Sequence, residues 1–161
     1  MMSVVLKIDL SKAYERVSWT YLRIILTKMG FSVPFISWVM SSLSSVSFVV
    51  LINAAASSFF KSGRGLRQGC PLAPLFFLIV VEGFCRALLA AKAAGDYHGI
   101  SFGNDVTLTR VLFVDDIVMI SDGSEQSLST LYEILQIFCK AYGMMINVDK
   151  STLLHCKLDY A

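Results

Sequence analysis

The stretch TLTRVLFVDDIVMIS, residues 107–121, holds two adjacent acids between two apolar runs. Residues 107–113 and 117–121 are rich in β-branched side chains, which predicts two strands joined by a tight turn that carries Asp115 and Asp116. Adjacent carboxylates at such a turn repel each other, and apolar neighbours raise the cost of leaving their charge unpaired. The acids therefore either face solvent at a loop tip or bind a cation.

A third acid follows the first apolar run of the chain. Residues 4–10 alternate like a short buried strand that brings Asp9 to its C-terminal edge. If the fold places this edge beside the turn, three carboxylates converge, and carboxylate oxygens are the ligands that Mg²⁺ prefers. A pair of such ions can activate an attacking hydroxyl and stabilise the leaving oxygen of a phosphoryl displacement. The pattern thus indicates phosphoryl transfer.

The order of these acids separates the chain from one other class of acidic metal site. Receiver-type phosphoacceptor domains are doubly wound parallel α/β units in which the acidic pair comes early and the single acid later. Here the single acid, Asp9, comes first, and the pair lies on a predicted hairpin. The order argues against a receiver domain.

The remaining pattern predicts an α+β fold in one domain, 1–161, with helices packed on one face of a largely antiparallel sheet. Helices are predicted at 13–29, 34–43 and 72–91, and a last helix between Asp122 and Gly143. Asp122 and Glu125 resemble a capping box for the last helix, which Gly143 would end. A hairpin is predicted from 46–53 and 59–63, and a final strand from 145–148. The aromatic residues of the hairpin, Phe48, Phe59 and Phe60, are assigned to the core.

The composition is unusually apolar for one compact domain. Of 161 residues, 55% are hydrophobic and 16% charged, and the mean hydropathy is +0.64. We infer that some faces normally meet another protein segment. A net charge of +2 does not by itself indicate a nucleic-acid partner, and the spacing of the four cysteines fits neither a zinc site nor a disulfide framework.

The apolar runs are too short for a membrane span. Residues 71–81 are almost wholly apolar, but Glu82 and Arg86 interrupt the run before it reaches the ~20 residues that a spanning helix needs. The N-terminus lacks the pattern of a secretory signal. We therefore expect an intracellular protein without membrane contact, in a compartment that the sequence does not specify.

Four motifs in this order resemble those of reverse transcriptases, most closely the non-LTR (LINE-type) retrotransposon enzymes of plants. They are KIDLSKAY (7–14), RGLRQGCPLAPL (64–75), FVDD (113–116) and GMMINVDKS (143–151). The resemblance covers nearly the whole chain. It implies a polymerase palm, a ferredoxin-like antiparallel sheet with helices on one face. Because the sequence begins near the first motif and ends after the fourth, we expect it to lack most of the fingers and all of the thumb.

The resemblance also implies roles for individual residues. Asp9, Asp115 and Asp116 would bind Mg²⁺, with Mn²⁺ as a substitute, and the backbone carbonyl of Leu10 would be available to the second ion. Tyr14 would exclude a ribose 2′-hydroxyl, although by itself it is equally well a core aromatic. The nucleotide-side residues would be Arg67, Gln68 and Gly69. Arg67 fits a solvated basic loop as well as a phosphate contact. Lys150 would stabilise the departing pyrophosphate.

These roles describe an RNA-directed DNA polymerase that binds an RNA template, a DNA primer and deoxynucleotides. The sequence departs from the family pattern at several positions, including Ala54, where a hairpin turn usually has glycine, but no departure removes a metal ligand. Two interpretations stay open: a palm fragment with competent acids, or a truncated retroelement remnant that binds metal or nucleic acid weakly. In either case we expect the isolated chain to be inactive, because polymerases also need an extended grip on duplex phosphates.

Overall fold

The computed structural model describes residues 2–102, 106–113 and 116–157. Its helices are α1 (Ala13–Arg16), α2 (Trp19–Lys28), α3 (Val33–Ser44), α4 (Ala73–Ala94) and α5 (Glu125–Tyr142). Its strands are β1 (Met2–Ile8), β2 (Ser47–Phe48), β3 (Leu51–Ile52), β4 (Ala55–Ala56), β5 (Phe60–Lys61), β6 (Ile100–Phe102), β7 (Val106–Leu108), β8 (Arg110–Phe113), β9 (Asp116–Ser121) and β10 (Thr152–Lys157). The prediction of an α+β fold is confirmed.

Four antiparallel strands form the central sheet in the order β10-β1-β9-β8. β1 is therefore an inner strand, paired on one side with β9 and on the other with β10. The prediction of a final strand at 145–148 was wrong. Within that segment Ile146 makes a single bridge to Leu10, and the edge of β1 is occupied instead by β10, which sequence reasoning missed.

The two faces of the sheet differ in burial. Ile8, Ile117 and Met119 are buried in the same hydrophobic core as α2, α4 and α5. On the opposite face Lys7 and Phe113 are exposed. Because side chains alternate between the faces of a strand, residues in register with Lys7 lie away from the helices. Near Asp116 this is an open face, although Ser3 and Ile120 farther along it are buried.

The helix predicted at 13–29 is two helices, because the chain leaves the helical conformation at Val17 and Ser18. Val17 has φ −51° and ψ 121°, and its carbonyl accepts a 2.8 Å hydrogen bond from the Gly65 amide. The Ser18 hydroxyl then caps α2 by accepting from the Tyr21 amide. Apolar spacing alone did not reveal this break, since it depends on a contact with a distant loop.

Helix α4 is the most apolar element. Contrary to the expectation that its apolar run is too short, it is the one helix, within the described part of the chain, that is long and apolar enough to cross a membrane by length and composition. Phe77, Val80, Phe84 and Leu88 are fully buried or nearly so. One face of the helix thus lies at the centre of the core, whereas Leu75, Leu78 and Leu89 on it are about half exposed.

The segment between α3 and α4 folds into a hairpin with a tight turn. β2 pairs with β5, and β3 pairs with β4 so that Ile52 lies opposite Ala55. The predicted five-residue turn is thus only two residues, Asn53 and Ala54, both with positive φ (49° and 63°). Two positive φ values identify a type I′ turn, whose second position favours glycine.

The hairpin aromatics are not in the core, contrary to the sequence prediction. Phe59 is 79% exposed, and Phe48 and Phe60 stack on each other at the surface with ring centroids 5.9 Å apart. The prediction failed because alternation along a strand identifies two faces but does not show that either face is covered.

Replacing Ala54 with glycine should stabilise the fold. An L-residue in the left-handed region is strained by about 1 kcal/mol or more, and glycine removes that strain. We expect Ala54→Gly to raise the free energy of unfolding by about 1 kcal/mol in urea titrations. Ala55→Gly is the matched control, because Ala55 lies in β4 and glycine weakens a strand interior. A destabilising effect of Ala54→Gly, or equal effects of the two variants, would contradict the turn assignment.

Two further details differ from the predictions. The predicted strand at 107–113 is divided at Thr109 into β7 and β8, and β7 pairs with β6, a strand that the sequence did not suggest. The N-cap of α5 is Ser124, whose hydroxyl accepts from the Ser127 amide, and not Asp122. Asp122 instead accepts from the Ser124 amide and hydroxyl, so it orders the loop before the cap.

Candidate metal-binding edge and glycine loop

The acids predicted to bind metal lie where β1 ends and β9 begins. The β1–β9 register ends at Ile8 and Ile117, so Asp9 directly follows the last paired residue of β1 and Asp116 directly precedes that of β9. Asp115, the third predicted ligand, lies outside the described residues. The structure therefore describes two of the three predicted ligands, at a shared edge of the sheet.

A lysine contacts this edge. Lys7 Nζ lies 3.2 Å from Asp116 Oδ1, and the two side chains are 50% and 41% exposed. Lys7 lies in β1 and precedes Asp9, the residue that follows the strand, by two positions. Sequence reasoning had not assigned Lys7 any role. Alternation within 4–10 could have placed it beside Asp9, but the pairing with Asp116 requires the strand register.

The donor chemistry of this edge fits a hard divalent cation, which binds carboxylate oxygens. Asp9 is half-buried, and its amide is held by the Ser151 hydroxyl at 3.1 Å. No cluster of three potential metal ligands occurs within 2–102, 106–113 and 116–157. The predicted triad includes Asp115, and so its geometry lies outside the described residues.

The turn after β1 leads into α1 through Leu10 and Lys12. Leu10 is buried, and it bridges to Ile146, with the Asp9 carbonyl accepting from the Asn147 amide at 2.9 Å. Lys12 has φ 51° and ψ 50°, the left-handed conformation that turns the chain into the helix. This tight connection fixes the separation between Asp9 and Tyr14.

Tyr14, the predicted steric gate, is half-buried against the core. Its ring stacks on Phe77 of α4, with centroids 5.0 Å apart and planes inclined by 20°. Its carbonyl accepts a 2.7 Å hydrogen bond from the Leu66 amide. Tyr14 is thus a half-buried aromatic residue that packs against the core.

The glycine loop that contains Arg67, Gln68 and Gly69 is fastened to α1 and α2 by backbone contacts. Gly65 has φ +90°, its amide donates to Val17, and its carbonyl accepts from the Trp19 indole nitrogen at 2.7 Å. A Cβ at Gly65 would lie 2.6 Å from the Glu15 carbonyl oxygen. Only glycine permits this approach of two backbones. The first and second sequence motifs are thereby joined into one unit.

The same loop lines a cleft of about 920 Å³ between α3, β2 and the start of α4. Arg64, Arg67, Gln68 and Gly69 contribute to its wall. The Gln68 side-chain amide donates to the Glu15 carboxylate at 3.2 Å. Among the residues that the structure describes, neither Asp9 nor Asp116 lines this cleft. The structure therefore brings the predicted nucleotide-side residues together, but in a cleft apart from the acidic edge.

Lys150 lies in an exposed turn that is fastened to the acidic edge. The Ser151 amide donates to the Asn147 carbonyl at 2.9 Å, and the Ser151 hydroxyl accepts from the Asp9 amide. Lys150 is thus held one residue from a direct contact with Asp9. Sequence reasoning named Lys150 but missed Ser151, because a serine after lysine carries no sign of such a contact.

The reverse transcriptase (RNA-dependent DNA polymerase) family matches residues 2–160 of this chain. The chain is 26% identical over 147 residues to the Transposon TX1 uncharacterized 149 kDa protein of Xenopus laevis, covering 91% of this chain and 11% of that protein. It is 26% identical over 143 residues to the Pol polyprotein of the Drosophila melanogaster type-2 retrotransposable element R2DM, covering 89% and 13%. The chain thus spans about a tenth of the length of these relatives.

Solved structures show the same fold. The chain is similar to telomerase from Candida albicans in complex with the TWJ fragment of telomeric RNA, with a TM-score of 0.72 and 15% identity over 98% of this chain and 27% of that one. At that identity the likeness concerns the fold alone. The match of the family over nearly every residue, including all four motifs, carries the assignment. This chain belongs to the reverse transcriptase (RNA-dependent DNA polymerase) family.

Proposed function

We propose that this chain is the palm of an RNA-directed DNA polymerase, in which Asp9, Asp115 and Asp116 hold the catalytic metal ions. The observation that supports the proposal best is the β1–β9 register, which ends at Ile8 and Ile117 and so brings their chain neighbours Asp9 and Asp116 to the same edge of the sheet. Two acids from distant parts of the sequence have no structural need to face each other at a strand end, where they repel. A shared cation removes that cost.

Mg²⁺, or Mn²⁺ in its place, would supply activation of a primer 3′-hydroxyl and stabilisation of the leaving phosphate oxygen. Asp9 and Asp115 would be the principal ligands, with Asp116 as a supporting acid and the Leu10 carbonyl available to a second ion. Tyr14 would exclude a ribose 2′-hydroxyl, and Lys150 would stabilise the departing pyrophosphate. Arg67, Gln68 and Gly69 would contact the nucleotide and template side.

The proposed partners are an RNA template, a DNA primer and deoxynucleotides. Support comes from the family and from the telomerase structure determined with RNA. We further propose that 1–161 acts as one domain of a longer polymerase. Apolar side chains exposed on α3 and the hairpin would then be covered by other segments. They include Val33, Trp38 and Phe59, which are 76%, 73% and 79% exposed.

A second candidate is an inactive retroelement remnant that keeps the palm fold. Ala54 favours it, because a strained alanine at the glycine position of a type I′ turn is a change that selection for stability would remove. We also propose a plant source, because the four motifs most closely resemble those of plant non-LTR retrotransposon enzymes, and an intracellular location. Recovery of the coding sequence from plant genomic DNA would test the source.

Primer extension distinguishes the two candidates. The isolated chain should not extend a DNA primer on an RNA template in Mg²⁺, since most affinity for nucleic acid comes from phosphate contacts outside a palm. The protein encoded by the complete reading frame around 1–161 should extend it, and its Asp115→Asn variant should not. Extension by the isolated chain would contradict the first expectation. A complete protein that is folded yet inactive would favour the remnant.

A further inference from the structure

We propose that Lys7 is a resident counter-ion of the acidic edge, which neutralises Asp116 while no divalent ion is bound and competes with that ion for the carboxylate. The inference rests on the proposed metal site and extends it, since it adds a residue that no motif role covers. Lys7 would thereby set the metal concentration at which the site fills.

The contact itself is the first observation. Lys7 Nζ lies 3.2 Å from Asp116 Oδ1, and both side chains stay about half exposed. Exposed ion pairs contribute little to stability, because solvent screens them and both side chains lose rotamer freedom. Stabilisation of the fold is therefore a weak reason for this pairing. A stronger reason is that Lys7 neutralises the charge of Asp116, which lies at the same edge of the sheet as Asp9.

The strand register explains how Lys7 reaches the acid. Lys7 lies opposite Val118, and the ladder continues through Ile8 and Ile117 to the level of Asp116. Lys7 is thus the diagonal neighbour of Asp116 on the open face, at a separation that a long side chain can span. The backbone on either side of this position is held by two strands, because Lys7 also pairs with Thr152 of β10.

The charges indicate competition. Within the described residues, Asp116 forms an ion pair with Lys7. A divalent ion bound to Asp116 would face the ammonium group at close range, and the two cations repel. Binding must therefore displace Lys7 toward solvent, which its exposure permits. Removal of the ammonium should tighten metal binding, whereas a residue that merely supports the site would loosen it on removal.

Calorimetric titration of the full chain with Mn²⁺ and with Mg²⁺ tests the proposal. Lys7→Gln should bind each ion about 5- to 20-fold more tightly than the unmodified chain at low ionic strength. Lys7→Arg keeps the charge and should bind like the unmodified chain. Lys61→Gln, which removes an exposed cation from the hairpin, controls for net charge and should leave the affinity unchanged.

A thermal measurement gives a second readout. Without divalent ions Lys7→Gln should melt at a lower temperature, because Asp116 loses its partner beside Asp9, and added Mg²⁺ should raise its midpoint more than that of the unmodified chain. Affinity in Lys7→Gln that equals or falls below that of Lys61→Gln would overturn the counter-ion role while leaving the metal site standing. Absence of binding in every variant would overturn both the role and the proposed site.

Discussion

Replacing Gly65 with alanine should lower the free energy of unfolding by about 2–4 kcal/mol, a large share of the stability of a domain this size. Two causes combine at this position. The φ of +90° disfavours any L-residue, and the new Cβ would lie 2.6 Å from the backbone oxygen of Glu15. Backbone cannot rotate away as a side chain can, so the loop must move away from α1, and urea denaturation monitored by circular dichroism would measure the loss.

Two other glycines provide matched controls. Gly63 has ordinary φ and Gly69 has φ +82°, and a Cβ at either position would meet no atom of the described residues within 4 Å. Gly63→Ala should be nearly neutral, and Gly69→Ala should cost about 1 kcal/mol from backbone strain alone. The order Gly65, Gly69, Gly63 is the expected ranking of effects. A Gly65→Ala variant as stable as Gly69→Ala would show that the loop is not held against α1 as described.

The joint replacement Asp9→Asn and Asp116→Asn should abolish measurable binding of Mg²⁺ and weaken the binding of Mn²⁺ by more than about 10-fold. Loss of a residue that only hydrogen-bonds to a metal ligand already lowers metal affinity by about 10-fold or more, and these two residues are proposed as ligands. Amide oxygens coordinate hard cations without the charge that drives binding. The single variant Asp9→Asn should also make the metal-free chain slightly more stable, since it removes repulsion at the strand end. Calorimetric titration and urea denaturation measure the two effects.

Asp96→Asn is the control for this pair of variants. Asp96 is an exposed carboxylate that follows α4 and accepts a 3.1 Å hydrogen bond from Gln126. Its replacement changes the net charge without altering the acidic edge, so metal affinity should stay at the level of the unmodified chain. If Asp96→Asn and the joint replacement reduced affinity equally, binding would be a general effect of surface charge.

Much of the fold follows from local pattern. Alternation in 4–10 and the two runs around Asp115 predicted β1, β8 and β9, and apolar spacing with Gly143 predicted α5 and its end. The errors share one cause. β10 pairs with a strand about 150 residues away, and the break at Val17 depends on the Gly65 amide, so neither has a local signal. Contacts between segments that are distant in sequence determine both the position of β10 and the break at Val17.

The site was predictable in its residue types and less so in its contacts. Acids at strand ends and the glycine loop could be named from the motifs. Lys7 and Ser151 could not, because the contact with Asp116 and the hydrogen bond to Asp9 exist only once the strands are in register. Trp19 was likewise assigned no role, although its indole holds the Gly65 carbonyl. When a residue positions a site through a partner that is distant in sequence, the residues around it in the sequence do not indicate that role.

Paramagnetic broadening by Mn²⁺ in the NMR spectrum of the chain tests the metal-site proposal most directly. If the ion binds at Asp9, Asp115 and Asp116, the amide signals of Ile8 and Ile117 should broaden first. Broadening should then decline along both strands toward Val4 and Ser121, which pair with each other about 13 Å farther on. The gradient should vanish in Asp9→Asn, Asp116→Asn. Broadening centred elsewhere, or a gradient that survives the replacement, would contradict the account.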